Sequence, residues 1–111
     1  MAKYEATLRG NFFQVSNSIE QAILNSGLSA ELVDQSSCHM GDTLVQVRVY
    51  EKYYWRASNR ASLTVTLVAH DQSVFVSAIG SGGGQGPIFK LSWGAEEDFI
   101  SVVQNVVDSL K

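Results

Sequence analysis

The spacing of apolar positions changes period along this chain, and each change marks an element. Residues Lys3 to Arg9 alternate weakly, with Tyr4, Ala6 and Leu8 on one side, which predicts a short first strand. Phe12, Val15, Ile19, Ala22 and Ile23 then follow at helical spacing and form one apolar stripe. Asn11 stands where a side-chain oxygen caps a helix, with Gln14 in the reciprocal capping-box position. Gly27 suits the left-handed stop after the last turn.

The middle of the chain alternates with period two. Ala30 to His39 is a weak strand, with Leu32 and Val33 its best residues, and Gly41-Asp42 makes a turn. Thr43 to Tyr54 is a strong strand: Val45, Val47 and Val49 face one way, and Gln46, Arg48, Tyr50 and Lys52 the other. Tyr53 shares the valine side and is expected in the core, while Tyr50 and Lys52 are expected on the outer face. Ala57-Ser58-Asn59 is a turn. Arg60 to His70 sets Leu63, Val65, Leu67 and Ala69 against Ser62, Thr64, Thr66 and Val68. Asp71-Gln72 leads tightly into a strand from Ser73 to Gly80. These segments read as an antiparallel meander with one buried face. Ile88 to Trp93 is a candidate last short strand, and Gly94 opens a final helix. Glu96, Glu97 and Asp98 fall in its first turn, where negative charge is favoured, and Lys111 at its far end. Phe99, Val103, Val106 and Leu110 form its stripe, widened by Val102 and Val107.

The predicted class is α+β: strand, helix, four or five antiparallel strands, helix, in one domain over residues 1–111. Such a chain can curl one sheet around two helices, as TATA-binding-protein-like and helix-grip architectures do. A ferredoxin-like sandwich needs a helix nearer the middle of the strand run, and no helical period occurs between Gly27 and Trp93.

Composition narrows the setting. Hydrophobic residues make up 45% and charged residues 17%, which is globular rather than disordered. The apolar runs are far shorter than the ~20 residues that cross a bilayer, so no membrane role is expected. Met1 to Glu5 has no apolar h-region of a signal peptide. Cys38 is the single cysteine, which excludes an intrachain disulfide and a four-thiolate zinc site. These features together predict a cytoplasmic protein.

The net charge of −3 argues against a nucleic-acid binder working through its whole surface. The charges are uneven, however: Arg48, Lys52, Arg56 and Arg60 are opposed locally only by Glu51. Tyr50, Lys52, Tyr54, Trp55 and Arg56 therefore form a candidate interface, since aromatics and arginine are enriched at binding surfaces. The other conspicuous segment runs Gly80-Ser81-Gly82-Gly83-Gly84-Gln85-Gly86-Pro87. It lacks the Lys-Ser or Lys-Thr of a phosphate loop and the spacing of a dinucleotide fingerprint. Its plain reading is a turn joining two strands, and its functional reading is a loop over a pocket, using Gly80, Ser81, Gly82, Gly83, Gly84 and Gly86. Cys38 and His39 are adjacent and point to opposite faces of a strand, so they do not share one metal ion with His70. No G-x-S-x-G elbow occurs, and no nucleophile, base and orienting group can be named together. No catalytic residue, cofactor or metal ligand is assigned.

Arg48-Val49-Tyr50-Glu51-Lys52-Tyr53, Asn59 to Leu67 and Ser77 to Gly83 give the string a likeness. It resembles a small family of bacterial proteins of about 110 residues and unknown function. The resemblance implies a bacterial, cytoplasmic, single-domain protein and brings no activity or ligand with it.

Three functions are ranked from these features. The first is a non-catalytic binding or assembly module, joined to itself or to another protein. A homo-oligomer would use Tyr50, Tyr54 and Trp55 rather than the polar row Ser62, Thr64 and Thr66. The second is a small-ligand carrier or enzyme of the helix-grip kind. It needs a cavity of about 300 Å³ between sheet and long helix, gated by the glycine loop and lined by Trp93 or Phe89. Single-stranded nucleic-acid binding ranks last.

Overall fold

Residues 2–26, 30–54, 59–82 and 93–111 are described by a computed structural model of the chain. The weak alternation at the start gives strand β1 (Ala2–Arg9), and the first apolar stripe gives helix α1 (Phe12–Leu24). Asn11 caps α1 as its position predicts: its side-chain oxygen accepts from the Phe13 and Gln14 amides at 2.9 and 3.2 Å. At the far end the Asn25 amide donates to the Gln21 carbonyl, while Gly27 lies outside the described residues. The alternating region forms strands β2 (Ala30–Met40), β3 (Thr43–Tyr54), β4 (Asn59–His70) and β5 (Ser73–Gly82). Helix α2 (Trp93–Leu110) closes the chain. Trp93 is thus helical rather than the end of a strand. Residues 88–92, the rest of that expected strand, lie outside the described residues.

The five strands make one antiparallel sheet in the order β1-β5-β4-β3-β2. Two two-residue hairpins sit at one end. Gly41, at φ +62°, turns β2 into β3, and Asp71 and Gln72, both at positive φ, turn β4 into β5. The strand–helix–strands–helix order and the α+β class are those the periodicity predicts. No described helix is long and apolar enough to cross a membrane.

Both helices pack on the same face of the sheet, which is the inner face. α2 lies over β5, β1 and β4, and α1 packs chiefly on α2. Phe99, Ile100, Val103 and Val107 of α2 join Leu63, Val65, Leu67, Val74, Val76 and Ala78 in a dry core, with Val15, Ile19 and Ile23 of α1 beside them. The inward set on β4 and β5 is the one alternation assigns.

Strand β3 corrects the sequence reading. Its register pairs Tyr50 with Leu63, Arg48 with Val65 and Gln46 with Leu67. The even positions of β3 therefore share the inner face with the core of β4. Tyr50 is fully buried, and Val45, Val47 and Val49 lie half-buried on the outer face. The reason is the partner across the gap. Where α2 covers the sheet, apolar side chains point in. Over β3, α1 presents Ser16 and Glu20, so the long polar side chains point in and are met there. A bulge in β2 then shifts parity between Leu32 and Asp34. Leu32 faces in beside Tyr50, and so does Gln35 beside Arg48.

Candidate functional site

Three turns converge where α1 begins. The β1–α1 turn brings Gly10, Asn11 and Phe12, the β2–β3 hairpin brings Asp42 between His39 and Leu44, and the β4–β5 hairpin brings His70, Asp71 and Gln72. Together they enclose an open cleft of about 310 Å³, with Leu44 and Ala69 among its lining. Its wall is tied across elements: the Gly10 amide donates to the Gln72 carbonyl at 2.9 Å. His70 Nδ1 lies 3.2 Å from Thr43 Oγ1, which joins the two hairpins.

Gln72 holds φ at +68° and Asp71 at +51°. An L-residue in the left-handed region costs about 1–2 kcal/mol, and glycine would avoid that cost. Strained side-chain-bearing residues persist where their side chains or backbone groups are needed. Here both line the cleft. His39, Asp42, Asp71, Asn11 and Gln72 are the polar and titratable residues of its lining besides His70, whose ring is turned to Thr43, and Phe12 and Leu44 are its large apolar residues. Such a lining can bind a small polar molecule. Among the described residues no group of three or more His, Cys, Asp or Glu is placed to hold a metal ion.

A second polar cluster lies deeper, between α1 and β3. Arg48, with 15% of its side chain exposed, meets Glu20 at 3.3 Å and donates to the Ser16 carbonyl at 3.4 Å and to Gln35 at 3.2 Å. The Tyr50 hydroxyl donates to Glu20 at 3.2 Å, and Ser16 donates to Gln46 at 3.1 Å. Burial pushes the Tyr50 phenol up to about 12; nearby Arg48 pulls it down, and Glu20 adds to the rise. Each member has a partner within the cluster, so its first effect is to fix α1 against the sheet.

Tyr50 and Lys52 of the expected interface lie on the inner side of β3, and Gly80, Ser81 and Gly82 of the expected loop lie in β5. Tyr50 belongs to the core and is not an interface residue, because β3 turns its even positions inward. Lys52 is half-buried on that same side. Tyr54 ends β3, and Trp55 and Arg56 lie outside the described residues. Gly80, Ser81 and Gly82 are not loop. They continue β5, pairing with Leu63, Ser62 and Ala61, and the Ser62 and Ser81 hydroxyls meet at 2.9 Å. Glycine has a positional use there, since Gly80 and Gly82 face inward opposite Leu63 and Ala61. Gly83, Gly84 and Gly86 lie outside the described residues. Arg48, one of the four clustered cations, is committed to Glu20, which removes it from any phosphate-binding surface. Sequence reasoning misses the cleft residues because they lie far apart along the chain. One signal is present: in a meander, the Gly41-Asp42 and Asp71-Gln72 turns must fall at the same end.

The whole chain, residues 1–111, matches the model of a family of unknown function, DUF6054. The chain belongs to that family. This agrees with the resemblance of the string to a family of about 110 residues and unknown function. No curated protein matches its sequence. Among solved structures, TTHA0849 from Thermus thermophilus is similar at 10% identity and a TM-score of 0.38, over 99% of this chain and 98% of that one. The di-domain ARO/CYC StfQ from the steffimycin biosynthetic pathway is similar at 12% identity and a TM-score of 0.36. That match covers 95% of this chain and 44% of StfQ, so the DUF6054 chain spans less than half of the two-domain protein. The Zhui aromatase/cyclase from Streptomyces sp. R1128 is similar at 8% identity and a TM-score of 0.28, over 96% and 85% of the two chains.

Proposed function

We propose that this chain is a binding module whose site is the cleft at the start of α1, and that its ligand is a small polar molecule. The observation that carries this is the cleft itself. Its volume of about 310 Å³ is at the lower end of the range for small-ligand sites, roughly 300–1,000 Å³. The strained Gln72 in its wall and the cross-element bond from Gly10 support the reading, because both hold the lining in a fixed shape. The site differs from the one expected of a helix-grip carrier. It lies between the sheet end and the short helix α1, and its lining is drawn from the three turns rather than from the glycine segment.

The reading is tested by ligand-observed NMR against a panel of small polar metabolites, with amide shifts mapping each hit. Hits should move Gly10, Asn11, His39 and Gln72 together. Leu44→Trp, which fills the cleft from its floor, should abolish them. Binding that survives Leu44→Trp unchanged, or shifts confined to other parts of the fold, would show that the cleft is not the site.

A further inference from the structure

We propose that a second copy of this chain covers the outer face of the sheet, stacked face to face about a two-fold axis running along β4. This surface is separate from the ligand cleft and does not depend on it. Neither described helix packs on it. The register sets its side chains in rows that cross all five strands from β1 to β2. One row reads Thr7, Phe75, Val68, Val45, Cys38; the next Glu5, Ser77, Thr66, Val47, Ser36; the third Lys3, Ile79, Thr64, Val49, Asp34. Read on its own, β4 presents the polar row Thr64 and Thr66 and suggests a wet surface. The register adds the apolar residues of β3 and β5 on either side, which the sequence alone cannot align.

A two-fold axis along the central strand maps β1 over β2, β5 over β3 and β4 over itself, and keeps each row in place. Phe75 of one copy then faces Val45 of the other, Ile79 faces Val49, and Val68 faces Val68. At the rim Lys3 faces Asp34, so opposite charges meet twice, once on each side. Stacked sheets keep their strands nearly aligned, with an offset of about 30°, which this arrangement allows. The shapes also fit. Ile79 is 40% exposed and stands out from β5. Beside Val49, its partner position, there is a hollow of about 130 Å³ lined by Asp34, Gln35, Ser36, Val47 and Val49. The bulge in β2 adjoins this hollow.

The area is sufficient. Five strands about 4.8 Å apart span about 24 Å, and eight residues at about 3.4 Å each span about 27 Å. The projected face is therefore about 650 Å², against the roughly 600–1,000 Å² per partner that specific interfaces bury. A second copy is favoured over an unrelated partner because Phe75 and Val45, Ile79 and Val49, and Lys3 and Asp34 are mirrored about β4, while in the row between them Val47 is mirrored by Ser77 and Glu5 by Ser36. An isologous interface needs that property.

The test uses the full chain in light scattering and analytical ultracentrifugation, with short-spacer cysteine cross-linking. The expected mass is twice the 12.1 kDa of one chain. Ile79→Lys should raise the dimer dissociation constant at least tenfold while leaving the far-UV spectrum unchanged. Asp34→Lys should weaken the dimer, and adding Lys3→Asp should restore it. Thr66→Cys, in a Cys38→Ser background, lies on the axis and should cross-link efficiently. Native Cys38 should not, because the two copies of it lie at opposite rims. A monomer at high protein concentration would overturn the proposal. So would a dimer that cross-links through Cys38 and not through Thr66→Cys, since that result marks edge-to-edge pairing of β2. Failure of the charge swap to restore the dimer would overturn the two-fold register.

Discussion

Tyr50→Phe tests the inward orientation of β3, on which both the polar cluster and the outer valine face depend. The hydroxyl is fully buried and donates to Glu20 at 3.2 Å. Hydrogen bonds to charged groups contribute about 1.5–3 kcal/mol, and Glu20 keeps Arg48 after the change, so the loss near neutral pH should be about 1.5 kcal/mol. The pH dependence supplies the sharper signature. The phenol is raised from 10.0 to about 12 on folding. A group with a raised folded value contributes stability that is complete below its unfolded value and is lost as pH rises towards the folded one. For Tyr50 that window runs from 10.0 to about 12. Near pH 11, midway through it, the loss from this group alone is about 1.4 kcal/mol. Tyr4, raised by burial and by Asp108, acts in the same direction in both proteins and cancels in the comparison. Urea unfolding of wild type and Tyr50→Phe at about pH 8 and about pH 11 reads the difference. The wild-type advantage should shrink from about 1.5 kcal/mol to nearly nothing. No wild-type advantage at either pH would place the hydroxyl in solvent, and an advantage that does not shrink with pH would show a phenol unshifted by folding; either result refutes the orientation.

Further expectations follow from the same geometry. Arg48→Ala should destabilise by about 2–3 kcal/mol, below the range for fully buried pairs because Glu20 keeps partial exposure; Arg48→Met with Glu20→Leu should recover most of it, read by denaturant midpoint. Asn11→Ala should cost about 1 kcal/mol by removing the acceptor of two first-turn amides, seen as a lower melting temperature. Gln72→Gly should stabilise the hairpin by about 1 kcal/mol, since glycine accepts φ +68° freely, while weakening ligand binding at the cleft.

The parts of the fold legible in the sequence are those where one principle acts alone. α1 is bounded by Asn11 and its apolar stripe, and β4 alternates cleanly because α2 covers its apolar side. β3 misleads because alternation gives two faces but not which one is inside. Val45, Val47 and Val49 look like the core, yet the neighbour over β3 is the polar side of α1. β2 carries no usable period because it is an exposed edge strand with a bulge at Val33 that reverses its parity. The glycine segment misleads in another way: Gly80 and Gly82 read as loop punctuation, but they occupy inward strand positions opposite β4. The cleft is the least legible feature. Its residues come from three turns, and only the folded topology places Gly10, Asp42 and Gln72 around one space.

Binding of a small polar ligand in the cleft is the property on which the function rests. Amide chemical-shift mapping with a hit from the metabolite panel tests it most directly. The expected shifts cluster on Gly10, Asn11, His39, Leu44, His70 and Gln72, and Leu44→Trp abolishes them. Shifts spread over the outer face at Val47, Thr66 and Ile79, or unaffected by Leu44→Trp, would contradict it.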